Sequence, residues 1–216
     1  MADWNAWHRN YDDPASGLAQ RLATVRAELD RLLTATNGRP TRLLSLCAGD
    51  GRDTLPVLAA GHDNVRAVLV EIDAGLGAAA QAQASQLNLP HVEVRTADAG
   101  VMDTYADLPP ADVLLACGVF GNISDDDLET TVGAFPRLLT PGAAVLWTRG
   151  ASTGDDDPTS HPGDAAELVR KVFTRHGFVE ERFIRPDDAG FRVGVHRLAD
   201  APRSDPTGRH LFRFTR

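Results

Sequence analysis

The sequence of 216 residues predicts an α/β fold, a mostly parallel sheet with helices on both faces that finishes in antiparallel strands. Three observations carry this reading. Apolar runs of strand length alternate with helix-length segments between residues 42 and 176. The first run, Leu43 to Cys47, ends in the turn Gly49-Asp50-Gly51 and feeds an apolar, helix-compatible segment from Thr54 to Ala60. Beyond Gly177 the runs are separated by Asp/Gly and Asp/Pro turns instead of helices.

In order, residues 1–16 concentrate Trp4, Trp7, His8 and Tyr11 in a chain that is only 6% aromatic. Leu18, Leu22, Val25, Leu29, Leu32 and Leu33 follow at helical spacing, with Ser16 as the expected N-cap. Asn37-Gly38-Arg39-Pro40 breaks that helix before the first strand. The strands are expected at 42–47, 65–71, 92–96, 111–117 and 143–148, and the intervening helices at 52–60, 74–88 and 125–138. Ser124 caps the last of these ahead of Asp125, Asp126 and Asp127, whose charges suit a helix N-terminus. A polar, mobile loop is expected at 150–162 and a helix at 163–176, ended by Gly177. Phe178 to Ile184, Phe191 to Leu198 and Leu211 to Thr215 read as the closing strands.

The length suits one domain, divided into an N-terminal helical cap or lid at 1–38 and a main body at 39–216. A formal net charge of −8 argues against a nucleic-acid partner, because that affinity rests on clustered Lys and Arg. Cys47 and Cys117 have no metal-ligand spacing and are expected as reduced, buried thiols. The seven histidines show no ligand spacing either, and Asp155-Asp156-Asp157 reads as a solvated loop, so no metal is expected. No signal peptide is visible and no apolar run approaches the roughly 20 residues of a membrane span, so a cytoplasmic protein without a membrane partner is expected.

The glycine turn carries the functional reading. With no Cβ at Gly49 and Gly51, backbone N–H groups and a helix N-terminus can approach a ligand closely. About twenty residues on, the second strand ends in Glu71-Ile72-Asp73, where an acid can accept hydrogen bonds from a ribose diol. Together these point to a nucleoside-containing cofactor.

Over residues 40–150 the sequence resembles the class I S-adenosylmethionine-dependent methyltransferases. Their first strand ends in an acid, a variable residue, then three alternating glycines. Here that register holds Ser45, Cys47, Gly49 and Gly51, so serine replaces the acid and cysteine the first glycine. Glu71 matches the ribose-binding acid, and Ala97-Asp98 the site where an Asp meets the adenine amino group. Strand four runs into Cys117-Gly118-Val119-Phe120-Gly121-Asn122-Ile123 as the family's does into its active-site floor, and Leu138 to Leu146 resembles the Pro-Gly entry to strand five. The resemblance implies a Rossmann-like, seven-stranded sheet of order 3-2-1-4-5-7-6 with the seventh strand antiparallel. It implies S-adenosylmethionine as cofactor, S-adenosylhomocysteine as product, and a cofactor site built from Cys47, Ala48, Gly49, Asp50, Gly51, Glu71, Ile72, Ala97, Asp98, Ala99, Cys117, Gly118 and Val119. A dinucleotide-binding oxidoreductase is the rival fold, but its Gly-x-Gly-x-x-Gly needs a third glycine where Thr54 stands.

Methyl transfer is an in-line displacement in which positioning does most of the work, so catalytic groups need not be legible. No Asn/Asp-Pro-Pro-aromatic motif follows strand four, which with the charge favours a small-molecule acceptor, methylated on oxygen, nitrogen or carbon. His8 and Tyr11 are the candidate base or acceptor contacts, although the nearby tryptophans equally suit a packed terminal helix. Phe120, Asn122, Arg149 and His196 are candidate substrate contacts, and Arg52 can meet either the cofactor carboxylate or Asp53. The expected assembly is a monomer or homodimer. A non-catalytic cofactor sensor or scaffold is the alternative, since a fold does not fix a function.

Overall fold

The computed structural model describes residues 16–150, 164–186, 189–199 and 210–215. Seven strands form one sheet: β1 (Thr41–Leu46), β2 (Val65–Glu71), β3 (Val92–Thr96), β4 (Ala111–Ala116), β5 (Leu139–Gly150), β6 (Phe178–Ile184) and β7 (Phe191–Leu198). Their order is β3-β2-β1-β4-β5-β7-β6, with β7 antiparallel to both its neighbours and the β1 to β5 pairings parallel. This is the expected topology.

The five helices are α1 (Gly17–Thr34), α2 (Leu55–Ala59), α3 (Ala74–Gln86), α4 (Asp125–Ala134) and α5 (Ala166–Arg175), among the described residues. Ser16 caps α1 by accepting from the Ala19 N–H at 3.0 Å, and Ser124 caps α4 from the Asp127 N–H at 3.1 Å. Asp73 caps α3 by accepting from Gly75 and Leu76. The helix expected to reach residue 138 stops at Ala134, because Pro136 bends the chain into the 3-10 turn Phe135–Arg137. Gly177 ends α5 with φ of 81°, a conformation that favours glycine.

The sheet separates two apolar layers. On one face Val25, Leu29, Leu32 and Leu33 of α1 pack with Leu43, Leu55 and Leu69. On the other, Phe120, Phe135, Trp147 and Phe173 form an aromatic cluster with ring centroids 6.0–6.4 Å apart. Trp147 and Gly194 are register partners on β5 and β7, and a Cβ at Gly194 would lie 2.2 Å from the indole. Glycine there leaves room for the tryptophan.

Residues 211–215, expected as a strand, join no strand. Their edge groups bond to loops and helix α4 instead: Leu211 N–H donates to Gly100 O at 2.7 Å, Thr131 Oγ1 donates to Leu211 O at 2.8 Å, and Thr215 N–H donates to Asn122 O at 2.8 Å. This strap crosses so close to the β3–β4 connection that a Cβ on Gly100 would sit 2.3 Å from the Phe212 carbonyl oxygen. Residues 151–163, which hold the expected polar loop and Asp155-Asp156-Asp157, lie outside the described residues, as do His8 and Tyr11.

Candidate functional site

Strand β1 stops where the chain enters the left-handed region three times, at Cys47 (φ 52°), Gly49 (58°) and Gly51 (76°). Cys47, standing at the position of the motif's first glycine, holds the backbone conformation that a glycine would take there, at a cost of about 1 kcal/mol. Ala48 N–H continues the β1–β2 ladder to Val70 O at 3.0 Å, and Gly51 N–H closes the turn on Ala48 O at 3.0 Å. A Cβ on Gly51 would meet Leu55 at 2.7 Å, so this glycine lies beneath the turn, against the core, and not at the ligand.

Glu71, at the end of β2, is the hub of the site. It is only 7% exposed, and its two oxygens accept the Gly49 N–H and the Asp73 N–H, each at 2.8 Å. One carboxylate thus holds the glycine turn and the entry to α3 together, with lone pairs left for a further donor.

Helix α1 covers this turn. Arg26 donates from Nε and Nη2 to the Arg52 carbonyl at 2.8 and 2.5 Å, while the Arg52 guanidinium grips Asp50 in a bidentate pair. Between β1 and β4, where the strand order reverses, a cavity of about 370 Å³ opens at the carboxyl ends of the strands. Of the residues singled out from the sequence, Cys47, Ala48, Gly49, Asp50, Glu71, Ile72, Cys117, Gly118 and Asn122 line it. So do Arg21, Leu22 and Val25 of α1, Arg52, Asp53, Asp73, Leu76 and Phe214. The α1 stripe was legible as a helix but not as a wall of the site. Phe214 was hidden in an expected strand.

Other expected site residues lie elsewhere. Asp98 is exposed just beyond β3, where its Oδ1 accepts the Gly100 N–H at 2.8 Å, yet it is near enough that its charge acts on Cys47. Ala97 N–H donates to Glu71 O, and Ala99 is buried with its carbonyl held by the Tyr105 hydroxyl at 2.6 Å. Gly118, at φ 77°, turns Val119 and Phe120 into the core and leaves Asn122 facing the cavity, its Nδ2 on Gly118 O at 2.7 Å. Val119 and Phe120 are therefore packing residues. His196 is fully buried between Trp147, which donates from Nε1 to its Nδ1 at 3.0 Å, and Phe173, stacked at 4.5 Å. It does not line this cavity, because it is enclosed by Trp147 and Phe173. Arg149 is half-buried at the end of β5, opposite Arg192, and does not line the cavity.

Burial raises both cavity thiols well above the ordinary cysteine range. The charges of Glu71 and Asp98 add to the rise at Cys47, and Asp53 adds to it at Cys117. Burial also raises Asp53, against a lowering hydrogen bond from Thr54. Neutral thiols are poor nucleophiles, so covalent chemistry at Cys47 or Cys117 is disfavoured. The carboxylates of Asp50, Glu71 and Asp73 around a glycine turn suit hydroxyl, amine and cationic groups on a ligand. Among the described residues, no group of three or more His, Cys, Asp or Glu side chains is placed to hold a metal, and no helix is long and apolar enough to cross a membrane.

Residues 43–142 match the family model described as "Methyltransferase domain". Magnesium protoporphyrin IX methyltransferase (ChlM) from Synechocystis PCC 6803, solved with bound SAM and with bound SAH, superposes with a TM-score of 0.66 at 16% identity; for the SAM-bound structure, 91% of each chain is covered. The N-methyltransferase NodS from Bradyrhizobium japonicum WM9 gives a TM-score of 0.61 at 14% identity, over 88% of this chain and 99% of that one. The cyclase SpnF gives 0.58 at 17% identity, over 78% of this chain and 80% of the other. No curated protein matches the sequence significantly. The fold is that of the class I S-adenosylmethionine-dependent methyltransferases.

Proposed function

We propose that this chain, which carries a methyltransferase domain over residues 43–142, is an enzyme that moves a methyl group from S-adenosylmethionine to a small-molecule acceptor. The observation that carries the reading is Glu71. A nearly buried carboxylate that ties Gly49 to Asp73 at the mouth of a switch-point cavity is poised to accept from a ribose diol. Gly49 and Asp50 of the glycine turn line the cavity, and the amino-acid end of the cofactor is assigned beside them. Arg52, though engaged by Asp50, lines the cavity and is assigned as a partner for a carboxylate. Asp98, exposed just beyond β3, is assigned to the adenine.

The bound cofactor would supply an electrophilic methyl group on a sulfonium. The protein's share is to orient and to exclude water. Leu22 and Val25 on one side and Phe214 on the other give the cavity apolar walls, and positioning of this kind lowers a displacement barrier by several kcal/mol. Asn122, fixed on Gly118, faces the same space and is the described residue best placed to orient an acceptor. His8 and Tyr11 remain the proposed base or acceptor contacts, and the net charge of −8 disfavours a nucleic-acid acceptor.

Calorimetric titration with S-adenosylmethionine, S-adenosylhomocysteine and NAD tests the cofactor. Micromolar binding of the first two, without NAD, is expected, and NAD binding alone overturns the reading. Release of S-adenosylhomocysteine in the presence of small-molecule acceptors tests the enzyme. Cofactor binding with no turnover on any acceptor favours the sensor instead, since a fold does not fix a function.

A further inference from the structure

The β3–β4 connection differs from the other crossovers of the parallel sheet. Those carry α2, α3 and α4, whereas residues 97–110 hold only the 3-10 turn Met102–Tyr105. The sheet face beneath is left partly open. A cavity of about 400 Å³ lies there, over the amino ends of β1, β2 and β3, at the opposite end of the strands from Glu71. Its floor is apolar, with Leu44, Val68, Tyr105, Leu108 and Leu138.

The rim is basic. Arg42 and Arg66 are register partners on β1 and β2, one residue pair before Leu44 and Val68 on the same face once the alternation is counted. His91 comes next in that row: its carbonyl accepts from Ala67 N–H at 3.0 Å, and Ala67 pairs with Val92. Like charges side by side on adjacent strands repel. Neither guanidinium is paired with a carboxylate among the described residues; the one beside Arg42, Asp112, accepts the Arg42 backbone N–H at 2.8 Å and the Thr140 hydroxyl at 2.9 Å. The Arg42 guanidinium donates to the neutral Pro110 carbonyl at 2.8 Å, and Arg66 has no hydrogen-bond or ion-pair partner among the described residues. Glu93, the one carboxylate on the rim, is already paired with Arg95 at 2.8 Å. In a chain of net charge −8, two adjacent guanidinium groups without a carboxylate partner above an apolar floor call for an anion with an apolar body.

We propose that this cavity binds a small amphiphile, its apolar body on Leu44, Val68 and Leu138 and its single anionic head, a carboxylate, sulfonate or phosphate, between Arg42 and Arg66. The site is separate from the cavity at Glu71 and does not rest on the methyl-transfer reading.

Fluorescence titration of the full chain with anilinonaphthalenesulfonate, an apolar fluorophore with one anionic head, tests this. One equivalent should bind. Because Arg66 is exposed, Arg66→Glu keeps the fold, checked by an unchanged melt, and weakens the dye about tenfold through charge reversal; Arg66→Lys stays within about twofold. Val68→Trp fills the floor and displaces the dye, and the uncharged N-phenylnaphthylamine binds more weakly than the sulfonate. No fluorescence enhancement, equal affinity for Arg66→Glu, equal affinity for the uncharged dye, or displacement by S-adenosylhomocysteine each overturns the assignment.

Discussion

The Glu71 carboxylate accepts the backbone N–H of Gly49 at 2.8 Å, so the end of β2 holds the turn that closes β1. Removing that acceptor loosens the turn and removes the proposed ribose contact together. Glu71→Ala is expected to weaken S-adenosylhomocysteine by roughly 1–3 kcal/mol, and Glu71→Gln, which keeps one acceptor oxygen, by less. Isothermal calorimetry on the three proteins checks the order; equal affinities would remove Glu71 from the site.

The strap at 210–215 passes over Gly100 too closely for a side chain, since a Cβ there would come within 2.3 Å of the Phe212 carbonyl oxygen. Gly100→Ala must therefore push the strap away, at a cost of about 1–3 kcal/mol in urea unfolding, and draw Phe214 from the cavity. Phe214 is 37% exposed. Phe214→Ala should leave the unfolding midpoint nearly unchanged and lower cofactor affinity alone. The two variants separate anchoring from contact.

His196 is pushed down by burial to about 4, with Glu180 opposing the shift and Arg170 adding to it. The unfolded chain therefore binds a proton that the folded chain refuses in the window between about 6.5 and about 4. Stability is whole above that window and falls as pH drops through it, by about 2 kcal/mol at about pH 5 from this one group. Urea unfolding across this range should show the slope, and His196→Gln, which keeps an acceptor for Trp147, should flatten it.

Cys47 and Cys117 are both raised by burial and by neighbouring carboxylates, so neither forms a thiolate readily. Iodoacetamide at about pH 8 should modify neither in the folded protein and both in urea, read by intact mass. Rapid alkylation of Cys47 in the native state would contradict the burial and charge around its thiol.

What was legible in the sequence was what local chemistry decides. A strand, a glycine turn and an acid twenty residues on are neighbours through one crossover, so Gly49 and Glu71 met as expected. Even the departure at Cys47 left the turn intact, because the backbone tolerates one strained non-glycine at φ 52°. What was not legible depended on distant contacts. Nothing in Gly118-Val119-Phe120-Gly121-Asn122 says which side chains turn inward until φ at Gly118 is known. His196 sits in an apolar strand whose neighbour Trp147 supplies its hydrogen bond, and a polar residue in such a run reads equally as functional or as satisfied. Leu211 to Thr215 has strand composition but joins neither edge strand of the sheet, and its partners, Gly100, Thr131 and Asn122, lie far back in the chain.

The strap also sets an order on biosynthesis. Helix α1, the glycine turn and Glu71 are all made early, whereas Phe214 enters the same cavity from residues translated after all seven strands. A ligand can meet this pocket with all its walls in place only after residues 210–215 have crossed Gly100.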